Sequence, residues 1–220
     1  MHADVDEGYW WGESTNVRRN AFCAKERTLM PRTPKFTVPG MSIKEGTAVA
    51  KILQLRLHAL NDLQLTLKHV HWNVVGPNFI GVHEMIDPQI EEVRGFADET
   101  AERIATLGVD VLGTPGSIVR DRKWDDYSLG RADTIAHLAA LDQVYQGVIA
   151  DHREAADDVA DPDPVSEDML IGHLRSLELF HWFIRAHLEN SGGALADAGA
   201  TSEKDAAAKA TAARPSAANQ

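Results

Sequence analysis

Residues 68–103 read KHVHWNVVGPNFIGVHEMIDPQIEEVRGFADETAER. Gly76-Pro77 divides the stretch, ending one helix near Val75 and starting another near Asn78. Upstream, Leu53, Leu57, Leu60, Leu67 and Val74 recur three, four or seven apart, with Leu63 and Val70 filling the stripe. That is the core face of a long helix. Ser42 is its expected N-cap, with Glu45 at capping-box spacing. Downstream, the second helix runs to Leu107 and stops at Gly108, with a distortion expected at Pro88.

The periodicity continues beyond. A third helix is expected over 131–159, on Ile135, Leu138, Leu141, Tyr145, Val148 and His152. A fourth starts at Ser166, with Glu167 and Asp168 suiting the positive helix end. It continues on Ile171, Leu174, Leu177, Phe180 and Ile184 to Asn190, before Gly192-Gly193. The connections at 76–78 and about 160–165 are short, so each joins antiparallel neighbours. The connection from about 109 to 130 is long enough to cross the bundle. An all-α four-helix bundle with one long crossover between helices 2 and 3 is the ferritin-like arrangement.

Charge divides the chain. Residues 1–41 carry six basic and five acidic side chains; residues 42–196 are net −12; residues 197–220 are neutral. The expected organisation is a flexible N-terminal arm (1–41), a bundle (42–191) and a disordered tail (192–220). Met30 is an alternative start within the first arm. The tail is Ala-rich without a large apolar residue, so burial cannot offset its ordering entropy. The whole chain is −11, which argues against a basic nucleic-acid-binding body. A single cysteine, Cys23, rules out an intrachain disulfide framework and a Cys-based zinc site. No window approaches a membrane span, and the first twenty residues lack the apolar core of a secretory signal. A cytoplasmic protein without membrane contact is expected.

Candidate ligands crowd the opening stretch. His83 and Asp87 are four apart and share a helix face, as do Asp98 and Glu102. Imidazole with carboxylate suits a transition metal such as iron better than calcium or magnesium. His69 and His71 point to opposite sides, so at most one joins. Asp87 and Asp98 lie ~16 Å apart along a straight helix, too far to share an ion. Either there are two unrelated sites, or an antiparallel copy brings the two sets together, as a two-fold dimer does. Helical carboxylates are also ordinarily a solvated face, and spacing alone leaves that reading open. Glu178-x-x-His181 fits one element of an intrabundle di-iron site, but the other elements such a site needs are not found.

The same stretch holds a His-Trp pair, Gly-x-x-Phe, His-x-x-x-Asp and Asp-x-x-x-Glu-Arg. It resembles the Dps family, the DNA-protecting ferritin-like proteins of starved bacterial cells, over roughly Phe36 to Glu189. It looks closest to actinobacterial members with a C-terminal tail. The resemblance implies metal ligands His71, His83 and Asp87 from one subunit, completed by Asp98 and Glu102 of the two-fold mate. It implies a twelve-subunit homo-oligomeric cage that oxidises Fe2+, preferentially with hydrogen peroxide, and stores ferric mineral. Trp72 then lies near the site, and Asp168 and Glu178 fall where acidic side chains line three-fold pores. Nucleoid association, through weak non-specific DNA contacts of Lys204, Lys209 and Arg214, is also implied. A nucleoid-binding architectural cage with little metal turnover is the alternative.

Overall fold

A computed structural model describes residues 34–213; the N-terminal arm through residue 33 and Arg214 lie outside the described residues. Helix α1 spans Ile43–Asn73. Its N-cap forms the expected capping box: Ser42 N–H donates to Glu45 Oε2 at 2.9 Å and Glu45 N–H to Ser42 Oγ at 3.2 Å. Val49, Leu53, Leu57, Leu60, Leu63, Leu67 and Val70 form its buried face.

Two residues, Val74–Val75 (β1), follow α1 and pair in parallel with Ala132–Asp133 (β2). Gly76 (φ 90°) and Asn78 (φ 63°) turn the chain in the left-handed region. Helix α2, Phe79–Thr106, passes through Pro88 without interruption. Pro88 and Glu84, whose carbonyl loses its donor, both lie on the solvent side, so the freed oxygen is open to solvent rather than buried. Gly108 (φ 84°) ends the hairpin; a Cβ there would meet the Phe36 carbonyl oxygen at 2.2 Å.

The crossover contains a short helix α3, Pro115–Asp121. Helix α4, Thr134–Ala160, is capped by Asp133, which accepts from Ala136 N–H at 2.9 Å. The β1–β2 pair thus fixes the start of α4 beside the α1–α2 turn. Helix α5 is Pro164–Leu188. It begins before the expected Ser166 cap because Ser166 is buried and serves Arg103 instead, which donates from Nε at 3.0 Å. Helix α1 packs along α2, α4 along α5, and α1 against α4. The result is the ferritin-like bundle.

The tail departs from expectation. Residues Glu203–Ala212 form helix α6, packed on α4. Ser202 caps it, and Lys209 Nζ donates to the Gly199 carbonyl at 2.7 Å. Ala206, Ala207 and Ala210 are buried. Disorder was expected because the tail has no large apolar residue. Alanine, however, loses no side-chain entropy, and its small size lets α6 lie close to α4. The tail therefore needs little apolar area per residue to dock.

Candidate metal centre

His71 lies in the last turn of α1, and His83 and Asp87 in the first turns of α2. The tight 74–78 connection brings these two turns together. The imidazoles stack with centroids 3.6 Å apart at 26°. His71 Nδ1 lies 3.2 Å from the His83 carbonyl, and His83 Nδ1 lies 3.0 Å from the His71 carbonyl. A carbonyl only accepts, so each Nδ1 carries a proton. With the proton on Nδ1, it is Nε2 of each ring that can present a lone pair to a metal. Asp87 Oδ1 is 3.1 Å from His71 Nδ1. Candidate ligand atoms of His71, His83 and Asp87 all fall within 4.8 Å of one another, the one such cluster of three among the described residues.

Electrostatics favour ligand-ready forms. Burial holds the His71 pKa below the ordinary imidazole value, against the opposing pull of Asp87. The Lys68 hydrogen bond holds the Asp87 carboxyl below the usual range. Lys68 was not among the expected site residues. Its Nζ is 3.1 Å from Asp87 Oδ1 and 6.0 Å from the Trp72 ring centroid. Its position three residues before His71, on the same helix face, is the signal that finds it.

Other expected residues separate. His69 Nε2 pairs with the Leu129 carbonyl at 2.8 Å, away from the centre. Asp98 and Glu102 lie farther along α2, exposed, and do not join the cluster of their own chain. The next residue, Arg103, was missed as an anchor. It grips both oxygens of buried Asp163 at 2.7 Å and ties the end of α2 to the α4–α5 turn. Trp72, next to His71, is 71% exposed, and Leu65 seven residues before it on the same helix face is exposed as well.

Comparison with known proteins completes the picture. Residues 50–192 match the ferritin-like domain family. The chain is 62% identical over 175 residues to the DNA protection during starvation protein of Mycolicibacterium smegmatis, covering 80% of this chain and 96% of the relative. It belongs to the Dps family. The Mycobacterium smegmatis Dps structure superimposes with a TM-score of 0.75 at 61% identity, covering 77% of this chain and 97% of that one. DpsA14 from Streptomyces coelicolor gives 0.74 at 62% identity, with 76% and 99% covered. A 50%-identical relative from Haemophilus ducreyi, covering 74% of this chain and 87% of its own, is named a fine tangled pili major subunit. The ferritin-like match includes all five residues expected as ligands in this Dps chain and leaves α6 outside.

The remaining site expectations divide. Asp168 is exposed near the start of α5. Glu178 pairs with Arg153 of α4, whereas His181 turns inward to Asp142 at 2.7 Å. The two halves of Glu178-x-x-His181 therefore face different partners and form no common centre. Lys204 is exposed on α6, and Lys209 is tied to Asp205 and the Gly199 carbonyl. No helix among the described residues is long and apolar enough to cross a membrane.

Proposed function

We propose that this Dps chain assembles into a twelve-subunit cage of two-fold dimers, oxidises Fe2+ there and protects DNA from oxidative damage. The observation that carries the reading is the His71–His83–Asp87 cluster: a buried imidazole beside a half-buried imidazole and a half-buried carboxylate. Three ligands leave a metal under-coordinated. Asp98 and Glu102 are exposed carboxylates, and the ~16 Å helix rise separates them from their own chain's cluster. Supplied by a two-fold partner, they complete two equivalent five-ligand centres.

Iron enters as substrate. Two Fe2+ ions each give one electron to hydrogen peroxide, whose O–O bond breaks to give two hydroxide equivalents. Carboxylate oxygens favour the ferric product, and hydrolysis yields a mineral stored inside the shell. Two-electron use of peroxide avoids release of hydroxyl radical, which is how the cage protects DNA. Asp168 and Glu178 are proposed to line the cation entry, where rings of carboxylate raise local cation concentration. We read Trp72 as a packing residue of the dimer beside the centre.

Lys204, Lys209 and Arg214 supply weak, salt-sensitive and sequence-independent DNA contacts, which repetition over a cage strengthens. The proposed location is the cytoplasm, at the nucleoid. The test follows ferric absorbance on Fe2+ addition to purified protein, with and without peroxide. Faster oxidation with peroxide than with dioxygen alone supports the reading. A rate equal to that of protein-free buffer overturns it and leaves an architectural cage.

A further inference from the structure

We infer that Asp142 and Asp197 form a proton-sharing latch that holds the C-terminal segment on the bundle, tightening as pH falls and loosening as pH rises. Asp142 lies on α4 and is 1% exposed; Asp197 lies between α5 and α6 and is 2% exposed. Asp142 has three donors. His181 Nε2 and Arg185 Nε reach its Oδ1 at 2.7 and 2.9 Å, and Gln146 Nε2 reaches its Oδ2. Neither oxygen of Asp197 has a hydrogen-bond partner, and the side chain it faces is Asp142.

An unpaired carboxylate buried against another is a costly arrangement. One proton resolves it, because the protonated carboxyl donates to its neighbour. The donors decide where that proton resides. Burial pushes Asp142 upward, but hydrogen bonds from His181 and Arg185 outweigh it and keep that carboxyl below its ordinary range. Burial, then the Asp142 charge, push Asp197 upward, and the Arg185 charge opposes this without prevailing. Asp197 is therefore the protonated partner. A cation is a poorer solution, since Arg185 and His181 already hold Asp142. The ligand atoms also do not converge as they do at His71, His83 and Asp87.

Asp197 stands at the root of the docked segment. Ala196 N–H donates to the Leu188 carbonyl at 3.0 Å, and Ala200 N–H to the Asp197 carbonyl at 3.0 Å. Lys209 then ties α6 to Gly199. When the segment leaves the bundle, Asp197 returns to water and to an ordinary carboxylate pKa. Docking therefore takes up a proton and is strongest below that pKa. It is lost as pH rises towards the elevated docked value, by at most about tenfold in the docking constant per pH unit for one proton. The charged and titratable groups facing the pair are Arg185 and His181 from α5, with the Tyr145 ring 6.0 Å from His181.

Hydrogen–deuterium exchange of the full-length protein tests the latch, with rates corrected for intrinsic pH dependence. In the wild type, protection of residues 196–212 should fall several-fold from pH ~5 to pH ~8, while α4 and α5 stay protected. Asp197→Asn replaces the shared proton with a permanent amide donor. It should hold the segment equally at both pH values and exceed wild type at the higher one. Asp197→Ala should also be flat, but less protected than Asp197→Asn. Wild-type protection that does not change with pH overturns the latch. So does Asp197→Asn protection no greater than wild type at pH ~8.

Discussion

His71 and His83 each direct Nδ1 at the other's backbone carbonyl, so the ends of two helices lock each other's imidazole tautomers. The two Nε2 lone pairs are prepared before any metal arrives, which lowers the ordering cost of binding. Replacing His83 removes a candidate ligand and the partner stacked on His71. His83→Ala should therefore weaken binding of a probe such as Zn2+ at least tenfold, measured by calorimetric titration. Undiminished affinity would place the metal elsewhere.

Lys68 holds Asp87, so a metal bound at the proposed centre would compete with its ammonium for that carboxylate. The pair is part-exposed, and such pairs contribute at most ~1 kcal/mol. Lys68→Met should therefore tighten Zn2+ binding by a factor of up to about five, with a weaker dependence on salt. Weaker binding in the variant would show that the ammonium supports the site rather than opposing a cation.

Arg103 and Asp163 form a buried pair, 14% and 3% exposed. Arg103→Ala leaves the Asp163 carboxylate buried and uncompensated, at a cost of about 3–5 kcal/mol. Thermal unfolding should shift down accordingly. The Asp163 pKa is pushed upward by burial, but the Arg103 and Ser166 hydrogen bonds bring it below its ordinary value. Its contribution is thus present above the unfolded-state pKa and lost as pH falls through the folded one. Arg103→Ala should consequently be less damaging in strong acid than at neutral pH. A constant difference between variant and wild type would remove this pair from acid denaturation.

His152 is wholly buried between α1 and α5, and neither ring nitrogen makes a hydrogen bond. Burial, then the charge of Arg56, lower its pKa to about 3. The folded state excludes the proton and the unfolded state accepts it. Stability is therefore full above the ordinary imidazole pKa and declines as pH falls from there towards about 3. The slope is at most about 1.4 kcal/mol per pH unit. Urea midpoints should show His152→Leu less sensitive than wild type between pH ~7 and ~5. Equal slopes would exonerate His152.

Local signals carry most of what the sequence reveals. Ser42 and Glu45 are three residues apart, and the Leu53–Val70 stripe needs only helical period, so α1 is legible in full. His83 and Asp87 are legible as a pair from their four-residue spacing, whereas the choice of His71 over His69 comes from the family resemblance. Contacts between distant segments are not legible in this way. Arg103 reads as a helix-end charge until Asp163 is brought beneath it. Asp142 and Asp197 read as solvated acids, since nothing local marks either as buried. The helical tail is missed because it docks on α4 through small residues, Ala206, Ala207 and Ala210, which carry no large-apolar signal in the sequence.

The proposed shared centre has a test that depends on geometry more than on any one ligand. One variant carries His71→Ala and His83→Ala; another carries Asp98→Ala and Glu102→Ala. Each alone should assemble and lose most rapid Fe2+ oxidation, because every proposed centre lacks part of its ligand set. The two are then unfolded or dissociated and assembled together. In a mixed dimer, one centre joins both defects and is inactive. The other joins intact His71, His83 and Asp87 with an intact Asp98 and Glu102 across the two-fold axis. Mixed cages should regain activity at up to half the centres of each mixed dimer. If all five ligands came from one chain, mixing would restore nothing. Mixed dimers identified by native mass spectrometry but showing no recovery would refute the interface centre. They would require α2 to bend enough to overcome the ~16 Å between Asp87 and Asp98, although it runs unbroken through Pro88.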